Sequence, residues 1–210
     1  MIAILDYGAG NLTSVRLAFE RLGADAVVAP DADAARNADR IVFPGVGSAG
    51  SGMAGLRERG FDDLLVGAVA ENRPVLAICL GMQMIFERSA EDGDTPGLAI
   101  LPGEVLPFQF PAAARVKIPH MGWNRVSFTR PHPILQPIAD GEAFYFVHSY
   151  YANPERSEDA LGVTEYAGFE FTAIAARGSL FATQFHPERS GAAGLAVLKN
   201  FLTWDGRACS

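Results

Sequence analysis

Short apolar runs and amphipathic stretches alternate through the first part of the chain. Ile2–Leu5, Ala26–Ala29, Arg40–Phe43 and Val75–Ile78 carry almost no polar alternation, the pattern of strands covered on both faces in a parallel sheet. Between them, Leu12–Leu22 sets Val15, Phe19 and Leu22 on one face and stops at Gly23, predicting a helix. Phe61–Asn72 predicts another, with Leu64, Leu65, Ala68 and Val69 as its stripe, and Met82–Arg88 a third. Strands alternating with helices mean βαβ units with right-handed crossovers. From Ser89 the pattern changes. Glu91–Gly97 is a breaker-rich loop, and Leu98–Phe110 predicts short strands and turns. Ala143–Val147, Val163–Tyr166, Phe171–Ala176 and Ser179–Phe185 predict strands, the middle two antiparallel. Gly191 to Trp204 closes the chain as a helix with Leu195, Leu198, Phe201 and Leu202 inward. The expected fold is α/β, an open, mostly parallel sheet flanked by helices with an antiparallel extension. With no repeat or linker, residues 1–204 form one expected domain, and 205–210 a tail.

In such sheets ligands bind outside the carboxyl ends of the strands, where Gly8–Asn11, Gly45–Gly47 and Cys79 would all lie. A strand ending at Ile78 that becomes a helix by Met82 must turn sharply through Cys79, Leu80 and Gly81. That is the geometry of a nucleophile elbow. A helix N-terminus favours the thiolate, and the Leu80 N–H would point at an oxyanion on any carbonyl that Cys79 attacks. Alone, Cys79 reads more readily as a small buried hydrophobe. Far downstream, His186-Pro187-Glu188 changes the balance. Proline forces His186 into an extended backbone, residues two apart then share a side, and Glu188 can fix the imidazole tautomer. Cysteine, histidine and carboxylate make the parts of a thiol triad. The Gly8/Gly10 loop begins like a dinucleotide fingerprint, but position 13 is Thr, so it reads as a turn into a helix. Pro44-Gly45-Val46-Gly47 is either a plain turn or a backbone donor beside Cys79.

Composition narrows this further. A 49% hydrophobic, 20% charged chain supports a core, and a net charge of −7 argues against nucleic acid. Two cysteines, Cys79 and Cys209, give no disulfide framework, so a reducing cytoplasm is the expected setting. No leader or membrane-spanning run is evident. His132, between prolines, reads as a turn residue; His120 and His148 have no metal-ligand spacing, and neither metal nor cofactor is expected.

Ile78-Cys79-Leu80-Gly81-Met82-Gln83 with His186-Pro187-Glu188 resembles the class I (triad) glutamine amidotransferases. Ala77 departs from the glycine many members carry there. Tyr7-Gly8-Ala9-Gly10-Asn11-Leu12, Pro44-Gly45-Val46-Gly47, Pro119-His120-Met121-Gly122-Trp123-Asn124 and Phe146-Val147-His148-Ser149-Tyr150 narrow the resemblance to the glutaminase subunits of imidazole glycerol phosphate synthase. The resemblance implies a class I glutamine amidotransferase fold. It also implies Cys79 as nucleophile, His186 as proton carrier and Glu188 as its orienter. Leu80 and one N–H of Gly45, Val46 or Gly47 would hold the oxyanion, and Gln83, Glu91, His148, Ser149 and Tyr150 would line the glutamine pocket. Asn11, Met121, Trp123, Tyr145 and Arg189 would fall on the interface or ammonia channel toward a (β/α)8-barrel cyclase subunit in a heterodimer. A stand-alone cysteine hydrolase should lack His-Pro-Glu, a glutaminase of another synthase should lack His-Met-Gly-Trp-Asn, and a non-catalytic subunit should lack a triad member.

Overall fold

The computed structural model describes residues 1–207; positions 208–210, Cys209 among them, lie outside the described residues. The chain runs β1 (Ile2–Leu5), α1 (Leu12–Arg21), β2 (Ala26–Ala29), α2 (Ala32–Ala35), β3 (Arg40–Phe43), α3 (Ala49–Glu58), α4 (Phe61–Ala70), β4 (Val75–Ile78), α5 (Leu80–Met84), β5 (Phe86–Ser89), β6 (Thr95–Pro96), β7 (Leu101–Pro107), β8 (His120–Phe128), β9 (Glu142–His148), β10 (Tyr150–Pro154), β11 (Ala160–Tyr166), β12 (Phe169–Arg177), β13 (Leu180–Thr183) and α6 (Gly191–Thr203). The sheet order is β2-β1-β3-β4-β13-β12-β10-β7-β5-β6. The first five strands pair in parallel. β12 and β10 continue the sheet antiparallel, and β11, β8 and β9 branch from β12.

The uninterrupted apolar runs have the anticipated cause. Ile2 and Ile4 of β1, with Leu76 and Ile78 of β4, face one core with Val15, Phe19, Leu198 and Phe201 of α1 and α6. Ala3, Leu5, Val75 and Ala77 face the opposite core with Met53, Leu56, Phe61 and Leu65 of α3 and α4. A strand covered on both faces has no position for a polar side chain.

Two of the departures from the sequence reading have a clear physical cause. The helix expected over Met82–Arg88 is instead the five-residue α5 followed by β5. The backbone beyond Ile85 is captured by the next segment: Ile100 and Leu101 both donate to the Ile85 carbonyl, and Ala99 donates to that of Phe86. Strand pairing thus overrides local helix preference. The sequence reading also contains no helix at α3, whose Ala-Gly-Ser-Gly-Met-Ala-Gly sequence has little intrinsic helix preference. Its glycines serve close packing, since a Cβ on Gly55 would stand 2.1 Å from the Tyr7 carbonyl oxygen.

The elbow forms at the end of β4. Cys79 takes φ +55° and ψ −106°, a strained backbone for a residue with a side chain. A Cβ on Gly81 would sit 2.1 Å from the Phe43 carbonyl oxygen, so the first turn of α5 lies directly on β3. Ala77 stays within the strand, paired with Phe43 and Ala182, and leaves the turn intact. Gly81→Ala is therefore expected to cost about 1–3 kcal/mol by overpacking, read as a lower urea midpoint with unchanged slope.

His132 does more than occupy a turn. It is 2% exposed, packs against Phe181 and Trp204, and accepts the Ile134 N–H on Nδ1 at 3.2 Å. Burial, helped by the Arg130 charge, pushes its pKa down to about 4. The unfolded chain, with an ordinary value near 6.5, takes up the proton first. The stabilising contribution is complete above pH 6.5 and is lost as pH falls toward 4. His132→Asn keeps an acceptor for Ile134 but cannot titrate. Between pH 7.5 and 4.5 it should lose less stability than the parent by roughly 2–3 kcal/mol, measured by urea unfolding at both pH values.

Candidate active site

Cys79 enters the site from β4 and His186 from the end of β13, two strands paired in register. The Cys79 N–H donates to the Thr183 carbonyl at 2.7 Å, which ties the elbow to the strand that delivers the histidine. The His186 backbone is held on both sides. Its N–H donates to the Tyr145 carbonyl at 2.9 Å, and Ser190 Oγ donates to its carbonyl at 2.7 Å. Ser190 Oγ in turn accepts the Tyr145 N–H at 2.9 Å. The sequence reading assigned Ser190 no part; a serine just ahead of a helix gives little signal of such a clamp.

His186 Nδ1 lies 2.9 Å from Glu188 Oε1, and both side chains are almost fully buried. The pairing matches the sequence reading, but its local geometry differs. Pro187–Arg189 is a single 3₁₀ turn with His186 as its N-cap, so Glu188 reaches back across a turn rather than along an extended strand. Proline suits the first position of such a turn, where no N–H donation is required. A carboxylate can only accept from Nδ1–H, which leaves Nε2 as the working nitrogen. Nε2 is buried without a hydrogen-bond partner among the described residues. Burial opposes the imidazolium, but hydrogen-bonding interaction with Cys79 and Glu188, and then their charges, outweighs it and raises the His186 pKa to about 10.

Around Cys79 lies a cavity of about 360 Å³. It is lined by Val46, Gly47, Leu80, Gln83, Glu91, His148, Ser149 and Tyr150, and additionally by Pro119 and Val147. The cavity thus gathers the whole predicted pocket set, while Gly45 lies just behind it. Gln83 Nε2 donates to the Tyr150 carbonyl at 3.0 Å and to Gln184 Oε1 at 3.1 Å. Both amide hydrogens are engaged, so Oε1 is the group Gln83 offers as an acceptor. Gln184 Nε2 donates toward Cys79 Sγ at 3.8 Å, a contact absent from the sequence reading. Glu91 accepts the Ala49 N–H at 2.8 Å, and its partial burial raises its pKa.

The two expected oxyanion elements meet, but in a closed arrangement. The Leu80 N–H donates to the Gly45 carbonyl at 3.3 Å. Tyr7 Oη donates to the Pro44 carbonyl at 2.6 Å and packs so closely that a Cβ on Gly45 would collide with it. Burial and the Cys79 charge raise the Tyr7 pKa, keeping the phenol a donor. Gly47 has φ +112°, a backbone that favours glycine.

Asn11, Met121, Trp123, Tyr145 and Arg189 lie outside the cavity lining. Met121 and Trp123 are 62% and 59% exposed. The Trp123 and Tyr145 rings meet edge to face, and the Arg189 guanidinium stands 4.6 Å over the Tyr145 ring. Asn11 is exposed at the start of α1.

Residues 3–204 match the family Glutamine amidotransferase class-I. The subunit HisH of imidazole glycerol phosphate synthase from Pseudomonas putida is 47% identical over 210 residues, covering 98% of each chain. Its counterpart from Acinetobacter baylyi is also 47% identical, covering 97% of this chain and 98% of the other. Among solved structures, a glutamine amidotransferase superposes with a TM-score of 0.75 at 16% identity, covering 98% of each chain. The PurLQS structure from Thermotoga maritima superposes with a TM-score of 0.72 at 18% identity, covering 96% of each. These two likenesses concern the fold. The sequence relationship, with the elbow cysteine and buried His–Glu pair, places the chain in the class I glutamine amidotransferase family.

Proposed function

We propose that the chain is the glutaminase subunit of an imidazole glycerol phosphate synthase, supplying ammonia for histidine biosynthesis. The observation that carries the chemistry is Cys79 in the wall of a cavity that also presents the Gln83 amide and Glu91 carboxylate, with the buried His186–Glu188 pair interacting with that cysteine. Cys79 Sγ attacks the side-chain amide carbon of glutamine. His186, its Nδ1–H held by Glu188, delivers the proton from Nε2 to the departing nitrogen, and ammonia leaves a glutamyl thioester. Water then attacks the thioester with His186 as base, releasing glutamate and regenerating the thiol. Glu91 offers a carboxylate to the substrate ammonium group. A cytoplasmic setting suits an unpaired nucleophilic cysteine.

The ammonia goes to a cyclase subunit. A (β/α)8-barrel partner in a heterodimer would seat on the face that carries Met121 and Trp123, with Asn11, Tyr145 and Arg189 around it. That face exposes the large apolar side chains of Met121 and Trp123, which a partner would cover. The Leu80 N–H, engaged by the Gly45 carbonyl, has to turn to an oxyanion before catalysis is fast. A population shift of residues 45–47, favoured by the partner and its ribonucleotide, supplies that change.

Glutamate release by the isolated chain should be slow and should rise strongly when the cyclase and its ribonucleotide are added. Equal rates in both mixtures would overturn the gating and the subunit assignment. Cys79→Ala should abolish hydrolysis while retaining partner association, and Glu188→Gln should lower kcat by roughly 10²–10⁴-fold.

A further inference from the structure

Behind the pocket, three side chains on β8 and β9 form a hydrogen-bonded row that the catalytic steps do not use. Asn124 Nδ2 approaches His120 Nε2 at 3.3 Å, His120 Nδ1 approaches His148 Nε2 at 3.0 Å, and His148 Nδ1 approaches the Tyr150 carbonyl at 2.7 Å. Backbone groups fix the direction of every bond. At one end the Tyr150 carbonyl can only accept, so His148 carries its hydrogen on Nδ1. At the other end Asn124 Oδ1 accepts the Arg125 N–H at 2.8 Å, while Nδ2 donates to the Glu165 carbonyl at 2.8 Å. The amide is therefore pinned with its donors toward His120. With neutral rings, His120 must accept on Nε2 and donate from Nδ1, and His148 must accept on Nε2.

The Tyr150 carbonyl that ends this row also receives Gln83 Nε2–H, and Gln83 continues through Gln184 to Cys79 Sγ. The row begins on β8, where side chains alternate: Met121 and Trp123 are exposed, His120 is buried, and β8 is paired residue for residue with β9 from His120↔His148 to Val126↔Glu142.

We propose that Asn124, His120 and His148 form a one-way hydrogen-bond relay that holds the Tyr150 carbonyl and Gln83 amide in place for glutamine, making Asn124 and His120 positioning residues. The inference rests on the glutaminase reading of the pocket. Neutral histidines agree with the surroundings. His120 faces the rings of Phe146, Tyr166 and Phe171 besides His148. His148 faces Phe108, Phe146 and Phe171, and feels the charge of His186. The titratable neighbours are thus Tyr166, the two histidines themselves and His186. Burial pushes His120 down to about 4; burial first, then the charges of His120 and His186, push His148 down to about 3.

Asn124→Asp tests the relay because it replaces a donor with an acceptor facing His120 Nε2. Nitrogen NMR of the full chain with labelled histidine should find both rings hydrogenated on Nδ1 and neutral down to pH 5. Asn124→Asp should raise the pKa of His120 and move the His148 signals with it. An Nε2–H form at either ring in the parent, or a His148 spectrum untouched by the change, would overturn the relay. In the complex with cyclase and ribonucleotide at pH 8, Asn124→Asp should raise KM for glutamine about tenfold with kcat within about threefold. Toward pH 6 the gap should narrow, because a doubly protonated His120 can donate to both the new carboxylate and His148. A fall in kcat at constant KM would overturn the positioning role. His120→Asn keeps a donor at the Nδ1 position and should retain a KM within about threefold of the parent, while His120→Leu should not; equal KM values for these two variants would also overturn it. A parent complex inert toward glutamine would refute the glutaminase reading and leave the relay to be judged by the NMR alone.

Discussion

The structure depends on one backbone constraint: the chain must leave β4 and enter α5 through a single residue. That is possible because Cys79 accepts φ +55° and because Gly81 lets the helix rest on the Phe43 carbonyl. A left-handed residue with a side chain costs on the order of 1–3 kcal/mol, so neighbours must hold it. They do so through the Cys79 N–H bond to Thr183 and through the two cores that fix β3, β4 and β13. The nucleophile is thus positioned by the sheet, and the strand that steadies it also leads directly to His186.

Beside this half stands the loop of residues 44–47. Val46 and Gly47 are exposed, whereas Pro44 and Gly45 are buried, held by the Tyr7 hydroxyl on the Pro44 carbonyl and by the Leu80 N–H on the Gly45 carbonyl. The same backbone amide therefore closes the loop and belongs to the group that would stabilise negative charge.

The parallel half of the fold was legible because strands buried on both faces leave an unbroken apolar signature, as in Ile2–Leu5 and Val75–Ile78. α3 was not, since its glycines record close approach to Tyr7, just beyond β1, and to Met84 of α5 rather than helix preference. β5 was misread as helix because the residues that capture it, Ala99 to Leu101, act from beyond its own window. The same divide runs through the site. Cys79, His186 and Glu188 stand in compact local motifs. Ser190, Gln184 and Pro119 act through contacts that only tertiary packing brings together, and the direction of the histidine row follows from carbonyl groups whose positions no sequence pattern encodes. His132 illustrates the limit well: flanking prolines announced a turn, but nothing local announced that Phe181 and Trp204 would enclose it.

The chain has two tryptophans in opposite settings. Trp204 is buried and donates from Nε1 to the Arg207 carbonyl at 2.6 Å, while Trp123 lies open on β8. Their fluorescence is accordingly divided between a dry indole that reports on the interior and a wet one that reports on what covers the β8 surface. Anything seated on that surface would shift the long-wavelength component alone, an optical readout independent of turnover that requires no attached dye.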